Sequence, residues 1–298
     1  MSGFRTAVGL FGLENYYGGD FAAVVDLMKR ADELGIDQMV ITDHVVMGER
    51  TDRYPYGDFP TPPDYPWFEP VVAMAAIAGA TERIRLATSV LISPLRTPVL
   101  LAKQAATLDV VSRGRLDLGV GTGWQREEYE ASGIPFARRN QRLEEQLRAC
   151  RVLWEASPAS YAGETVSFTG VHCRPAPVQT PLPLWLGMAP NEINCRRMAE
   201  LCQGYVPISQ DPAVIAEDVR KIKAAFVEAG RDPSELEVRA QLPPVMGSTG
   251  APDLEATLAG TEAALEAGAT VIEMLPVIYS QSAEDVNGCL ERIAKLNA

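Results

Sequence analysis

Alternation is the feature that most constrains this chain. Short β-rich apolar runs take turns with helical patterns from one end to the other. The runs are Arg5–Gly12, Gln38–Thr42, Ile84–Val90, Arg115–Gly121, Leu184–Leu186, Gly204–Pro207, Leu236–Leu242 and Ala269–Leu275. Helical patterns lie between them at Asp20–Leu34, Glu69–Ala80, Pro98–Ser112, Gln125–Ala131, Asn140–Ala156, Glu192–Cys202, Asp211–Ala229 and Asp253–Ala267, and Ala283–Leu296 closes the series. Helical boundaries carry their own chemistry: Asp20 and Asp211 suit N-caps, Pro98 suits a first turn, and Gly35 suits a C-terminal stop. Strands joined by helices pair in parallel, and eight strand–helix units predict an α/β fold, a closed (β/α)8 TIM barrel. An open, doubly wound sheet is the competing arrangement; the count and the length of 298 residues favour the barrel. The Gly- and Pro-rich stretch Ser157–Pro183 predicts an inserted hairpin, Tyr161–Val171, before strand five. No composition break divides residues 1–298, so a single domain is expected.

Composition narrows the function. The formal net charge is −12 without a basic cluster, which disfavours nucleic acid and anionic membranes as partners. No apolar run reaches the roughly 18–20 residues of a membrane span, and the start, Met1-Ser-Gly-Phe-Arg, lacks the pattern of a signal peptide. Five scattered cysteines without a Cys-x-x-Cys read as reduced thiols in a cytoplasmic protein. With only two histidines, the pair His172-Cys173 makes a poor metal site, and no metal is expected.

In a parallel barrel, function collects where strands end. Asp43-His44 follows strand two, and imidazole titrates near neutrality, so His44 is the candidate for proton transfer. The bland alternative is a histidine that only closes a strand end. Asp43, pointing elsewhere by alternation, would hold a loop or bond a ligand. Thr88-Ser89-Val90 and Gly121-Thr122-Gly123 end strands three and four in small or hydroxyl-bearing residues, where a flat ligand can lie on bare backbone. The glycines lack the full dinucleotide spacing, and tight turning explains them equally well. Gly187-Met188-Ala189 leads into a helix whose N-terminus suits a phosphate, or is an ordinary βα turn. Glu127/Glu128 and Glu144/Glu145 read as solvated helix faces, and Arg138-Arg139 as a salt-bridging pair. The long loop Met47–Pro66, with Tyr54, Tyr56, Tyr65 and Trp67, is expected to wall the pocket.

The stretch from Pro98 through Val110-Val-Ser-Arg-Gly-Arg-Leu-Asp-Leu-Gly-Val-Gly-Thr-Gly-Trp124, continued by Glu127-Glu128-Tyr129 and Gly133-Ile-Pro-Phe136 and resumed at Pro177–Gly187, resembles the bacterial-luciferase-like superfamily of flavin- and deazaflavin-dependent oxidoreductases. Within it the chain is most similar to the branch using coenzyme F420. The resemblance implies a TIM barrel with an isoalloxazine-type ring at its carboxyl-terminal mouth. It implies His44 beside the ring with Asp43 as its pair, and a non-prolyl cis peptide in Thr88-Ser89-Val90 that supports the ring. It further implies that Gly121, Thr122 and Gly123 face the ring, and that Gly187, Met188 and Ala189 lie near the cofactor's phosphate. Three positions depart from the pattern: Trp124 stands where some relatives place a catalytic Glu, Met188 replaces a second Gly, and Gln203-Gly204-Tyr205 replaces Asp-Gly-Trp.

The implied activity is hydride transfer between F420 and a small organic substrate, by a homodimer. The alternative is a two-component monooxygenase using reduced FMN, O2 and a cofactor reductase. Leu100, where luciferase proper has a phosphate-binding basic residue, argues against FMN, although Arg96 and Lys103 are near. A non-catalytic flavin-binding protein is the third reading.

Overall fold

The computed structural model describes residues 3–297; Met1 and Ser2, on which the reading of the amino terminus begins, and Ala298 lie outside. Its strands close on themselves. Strand β1 (Arg5–Gly9) pairs in parallel with β2 (Gln38–Ile41), β2 with β3 (Arg85–Thr88), and β3 with β4 (Leu116–Gly121). Then β4 pairs with β5 (Leu184–Leu186), β5 with β6 (Gly204–Tyr205), β6 with β7 (Glu237–Gln241), and β7 with β8 (Val271–Met274). The pairing of β8 back onto β1, Arg5 opposite Val271, makes the sheet a (β/α)8 barrel and excludes the open sheet. Strands β2, β4, β5 and β8 are buried along their whole length, as a sheet covered by helices requires.

Helices begin where the sequence places caps. Asp20 accepts from the Ala22 N–H ahead of α1 (Phe21–Leu34), and Gly35 ends that helix at φ 86°. Both α2 (Pro70–Ala80) and α3 (Pro98–Val111) carry Pro in the first turn. Next come α4 (Arg126–Ala131), α5 (Arg139–Glu155), α6 (Glu192–Leu201) and α7 (Pro212–Glu228). The inserted hairpin is present, with strands Ala159–Ala162 and Ser167–Val171. The single helix expected over Asp253–Ala267 is instead two, α8 (Leu254–Leu258) and α9 (Thr261–Glu266). The break falls at Gly260, a weak helix former, where the Thr261 hydroxyl donates to the Leu258 carbonyl. Helix α10 (Ala283–Ala294) then packs beside α1. Among the described residues no helix is long and apolar enough to cross a membrane.

The lower barrel interior is polar and paired. The wholly buried Arg239 of β7 donates to Gln38 Oε1 at 3.0 Å and to the Thr88 carbonyl at 2.8 Å, and its Nε lies 3.2 Å from Glu273 Oε2. Gln38 donates to Asp117 at 2.6 Å, and Arg85 holds the same carboxylate through two nitrogens. A buried guanidinium is tolerable only with such partners. Because Thr88 ends β3, Arg239 also anchors the segment that starts the barrel mouth.

Candidate functional site

At the carboxyl ends of β3 and β4 the chain does something unusual. After Thr88 it passes through a cis Ser89–Val90 peptide and then forms a short extended segment, Leu91–Ile92, paired with Val120 and Gly121 of β4. Thr88 itself is buried and donates its hydroxyl to the Gly119 carbonyl at 2.6 Å. Ser89 and Val90 stay half-buried at the mouth. The glycines around them now have a reason. A Cβ on Gly121 would meet Val90 Cγ2 at 2.5 Å, and one on Gly187 would meet Val90 Cγ1 at 2.6 Å. Val90 therefore nests between two strand ends that only glycine can provide. Gly123, at φ 60°, gives way to Ile92 in the same manner.

Asp43 is buried and fully used by protein. It accepts from the Ile92 N–H at 2.8 Å and from both terminal nitrogens of Arg96, at 2.7 and 3.1 Å. Arg96 also donates to Glu69 at the start of α2. Although burial opposes its charge, these two carboxylates hold the Arg96 guanidinium above its ordinary range. Of the two uses expected for Asp43, the structure displays the loop-holding one. Arg96 is thereby committed, Lys103 donates to the Arg174 carbonyl, and Leu100 is exposed on the outer side of α3.

His44 sits at the mouth with its side chain 9% exposed. Its Nδ1 is 3.3 Å from Glu128 Oε2, and the other oxygen of Glu128 accepts from the Val45 N–H at 2.6 Å. Glu128 is wholly buried, which corrects its reading as a solvated face. The fourfold spacing of a short helix cannot reveal such a carboxylate: α4 turns Glu128 inward while Glu127 meets Arg53 at 3.3 Å. The other surface readings fare differently. Glu144 bonds Arg148 and Arg197, Glu145 accepts from the hairpin backbone at Thr165, and Arg138 bridges to Glu164, whereas Arg139 lies over the Phe136 ring.

Aromatic side chains roof the histidine. Ring centres of Trp67, Phe59 and Trp124 lie 4.8, 5.6 and 6.3 Å from His44. Tyr54 packs on Trp124 and Phe59 at 5.3 and 5.1 Å. Most of this roof comes from the long loop after β2, as expected. The loop is clipped to the head of α4: Gln125 accepts from the Gly48 N–H at 2.6 Å and donates to the Gly48 carbonyl at 3.1 Å. Its far end is tied by the Tyr65 hydroxyl, which donates to the buried Glu14. Beside the roof, a small cleft opens against Phe11, Thr42, Tyr65 and Trp67.

The residues fit a flat ring better than they fit its phosphate. Ser89, Val90, Gly123 and Gly187 offer a partly exposed floor of small groups near the strand ends. Thr122 is buried, and its carbonyl accepts from the Tyr129 hydroxyl at 2.5 Å. Met188 points into the hydrophobic core, while Ala189 is exposed. At the head of α6, Asn191 caps the Asn194 N–H and Glu192 brings an acidic side chain to the first turn, which disfavours a phosphate there. Among the described residues no group of three His, Cys, Asp or Glu gathers as a metal site would. His172 instead lies 2.8 Å from the Ser157 hydroxyl.

Comparison with known proteins meets this geometry. An uncharacterised protein of Mycobacterium tuberculosis is 36% identical over 226 residues, 76% of this chain and 75% of its own. Among solved structures, an F420-dependent secondary alcohol dehydrogenase with an F420–acetone adduct superposes with a TM-score of 0.76 at 18% identity, covering 98% of this chain and 97% of that one. The oxygenating constituent of 3,6-diketocamphane monooxygenase from Pseudomonas putida, in complex with FMN, gives 0.75 at 16% identity, with the same coverage. A profile of the luciferase-like monooxygenases matches residues 6–281. The barrel, its bent third strand end and the histidine at its mouth thus belong to an enzyme: the chain is a member of the luciferase-like monooxygenase family of oxidoreductases.

Proposed function

We propose that the protein transfers hydride between coenzyme F420 and a small organic substrate at the carboxyl-terminal mouth of the barrel. One observation carries this reading: His44 is held under a water-excluding roof with Nδ1 facing a buried carboxylate. When bound, the deazaflavin supplies the carbon that gives or takes hydride. Thr88, Ser89 and Val90 support its ring, with Gly121, Thr122 and Gly123 at the edge, and Gly187 and Ala189 are nearest its phosphate side; Met188 serves by packing. With Nδ1–H donated to Glu128, His44 keeps Nε2 to exchange a proton with the substrate oxygen. Asp43 acts through Arg96, fixing the end of β2 against Ile92. The roof of Phe59, Trp67 and Trp124 keeps bulk water from the reacting atoms.

A two-component monooxygenase using reduced FMN, O2 and a reductase is the second reading, favoured by the likeness to the FMN-bound oxygenating constituent. Fluorescence titration of the purified protein with F420 and with FMN separates the two. Submicromolar FMN binding with no response to F420 sinks the first. His44→Ala is expected to keep cofactor affinity while lowering turnover on the order of 100-fold; unchanged turnover removes the proton-transfer role. We further infer a cytoplasmic setting from five buried, unpaired cysteines, burial raising the Cys202 and Cys289 thiols to about 12. A homodimer through α2 and α3 is part of the same reading, because both helices expose apolar residues: Val72, Val99, Leu100, Val110 and Val111.

A further inference from the structure

The roof over His44 also bears on what the enzyme accepts, granted that the mouth is the reaction site proposed above. Phe59, Trp67 and Trp124 present ring faces and edges around His44 at centre distances of 4.8 to 6.3 Å, and Tyr54 packs behind Phe59 and Trp124. Edge-to-face sets of this kind admit another flat ring by exchanging one aromatic contact for another. A second observation is independent of packing. The indole N–H groups of Trp67 and Trp124 are buried and have no acceptor among the described residues. The Trp154 N–H, away from the mouth, donates to the Ala102 carbonyl at 2.9 Å. The Trp185 N–H, enclosed among the barrel strands, also has no acceptor among the described residues. It is therefore the place of Trp67 and Trp124 beside His44 that distinguishes them. A buried donor left unmade is unfavourable by about 1–3 kcal/mol, so two beside one histidine mark where an acceptor belongs. The charge nearby is negative: Glu128 is wholly buried behind His44. An anionic ligand would stand unpaired beside it, whereas a neutral oxygen acceptor would not.

We infer that the roof recognises a neutral, planar aromatic carbonyl compound, with Trp67 and Trp124 as specificity-determining residues that donate to its oxygen. Trp67 also lines the small cleft beside the roof. The cofactor ring shares this chemistry, being flat and rich in carbonyls, and the test keeps the two sources apart.

Binding is followed by quenching of tryptophan fluorescence on protein free of cofactor and on protein saturated with F420 or FMN. The probes are acetophenone, ethylbenzene (a ring without an acceptor) and 2-octanone (an acceptor without a ring). Acetophenone is expected to bind roughly five- to tenfold more tightly than either other probe, the discrimination one buried hydrogen bond supplies. Trp67→Phe and Trp124→Phe keep an aromatic ring and remove the donor. At least one is expected to weaken acetophenone to the level of ethylbenzene while leaving ethylbenzene unchanged, with the thermal midpoint retained as a control for folding. Equal affinity for acetophenone and ethylbenzene, or acetophenone affinity unchanged in both variants, overturns the proposal. So does competitive displacement of acetophenone by saturating cofactor, which would assign the roof to the cofactor itself. Failure of both cofactors to bind would defeat the proposed function and leave the ranking of the three probes still readable.

Discussion

Val90 shows how one side chain can dictate the residues of two other strands. Its methyl groups occupy the places where Cβ atoms of Gly121 and Gly187 would stand. Gly121→Ala is therefore expected to lose roughly 1–3 kcal/mol, the usual range for overpacking. Adding Val90→Ala should return a large part of it, because the offending methyl is gone. A urea-denaturation double-mutant cycle measures the coupling; additivity of the two changes would show that Val90 is not the obstacle. The second residue that matters is Glu128. Glu128→Gln keeps an acceptor for the Val45 N–H and removes the charge facing His44. Turnover is expected to fall on the order of 10-fold with cofactor affinity unchanged, which separates positioning from binding in a kcat against Kd comparison. Sequence made His44 legible because a histidine beyond a strand end is rare and chemically specific. Glu128 was hidden because a carboxylate in a two-turn helix looks the same whether it faces water or a histidine. The glycines were visible, but not their true neighbour, since nothing in the spacing says that Val90, far earlier in the chain than either, will turn into both.

Elements hold the site through a few ties that can be cut singly. Gln125 closes a reciprocal pair with Gly48, and a Cβ on Gly48 would meet Glu127 Cβ at 2.7 Å. Gly48→Ala is expected to unseat this clip and to speed limited proteolysis within residues 49–66, while the cleavage pattern elsewhere stays as it is. At the opposite end of the barrel, Asp32 at the end of α1 receives the N–H groups of Glu82, Arg83 and Ile84 at 2.7 to 3.0 Å, fixing the entry to β3. Burial works against its charge, yet the three donors and Arg83 hold its carboxyl below the ordinary range. A carboxylate with a lowered folded pKa contributes stability above its unfolded pKa, near 3.9, and loses that contribution as pH falls through the folded value. Asp32→Asn is thus expected to be about 1–3 kcal/mol less stable at pH 7. The gap to the parent should narrow below about pH 4. A gap that stays constant over pH 2–7 would contradict this account. Cap residues made most helices readable from sequence, whereas the division of α8 from α9 was not, because apolar periodicity runs on through Gly260 and only the local hydrogen bonding interrupts it.

At the scale of the whole molecule, alternation alone conveyed the barrel, since parallel strands with helical crossovers have few ways to bury both faces. What it could not convey was the filling. The Arg239–Gln38–Asp117–Arg85 network pairs residues far apart in the chain, and each reads locally as a surface polar group. Nor do helix patterns alone reveal a partner, but α2 gives a physical sign: its outward positions Val72, Ala75, Ala76 and Gly79 are exposed and none is charged. Light scattering is expected to return twice the chain mass for the parent. Val72→Asp, at a residue 70% exposed here, should shift it toward the 32.3 kDa of one chain without lowering the thermal midpoint by more than a few degrees. An unchanged mass would place any self-association elsewhere.

The roof has a consequence for how such an enzyme can diversify. Tyr54, Phe59 and Trp67 all come from one excursion between β2 and α2, and none of the barrel's own strands contributes to it. Its attachments, at Gln125 and at Glu14, lie outside the eight strands. Mutations there can accumulate, lengthen the excursion or replace it wholesale while the barrel goes on folding. Lineages sharing this scaffold are free to drift apart in diet and remain alike in architecture.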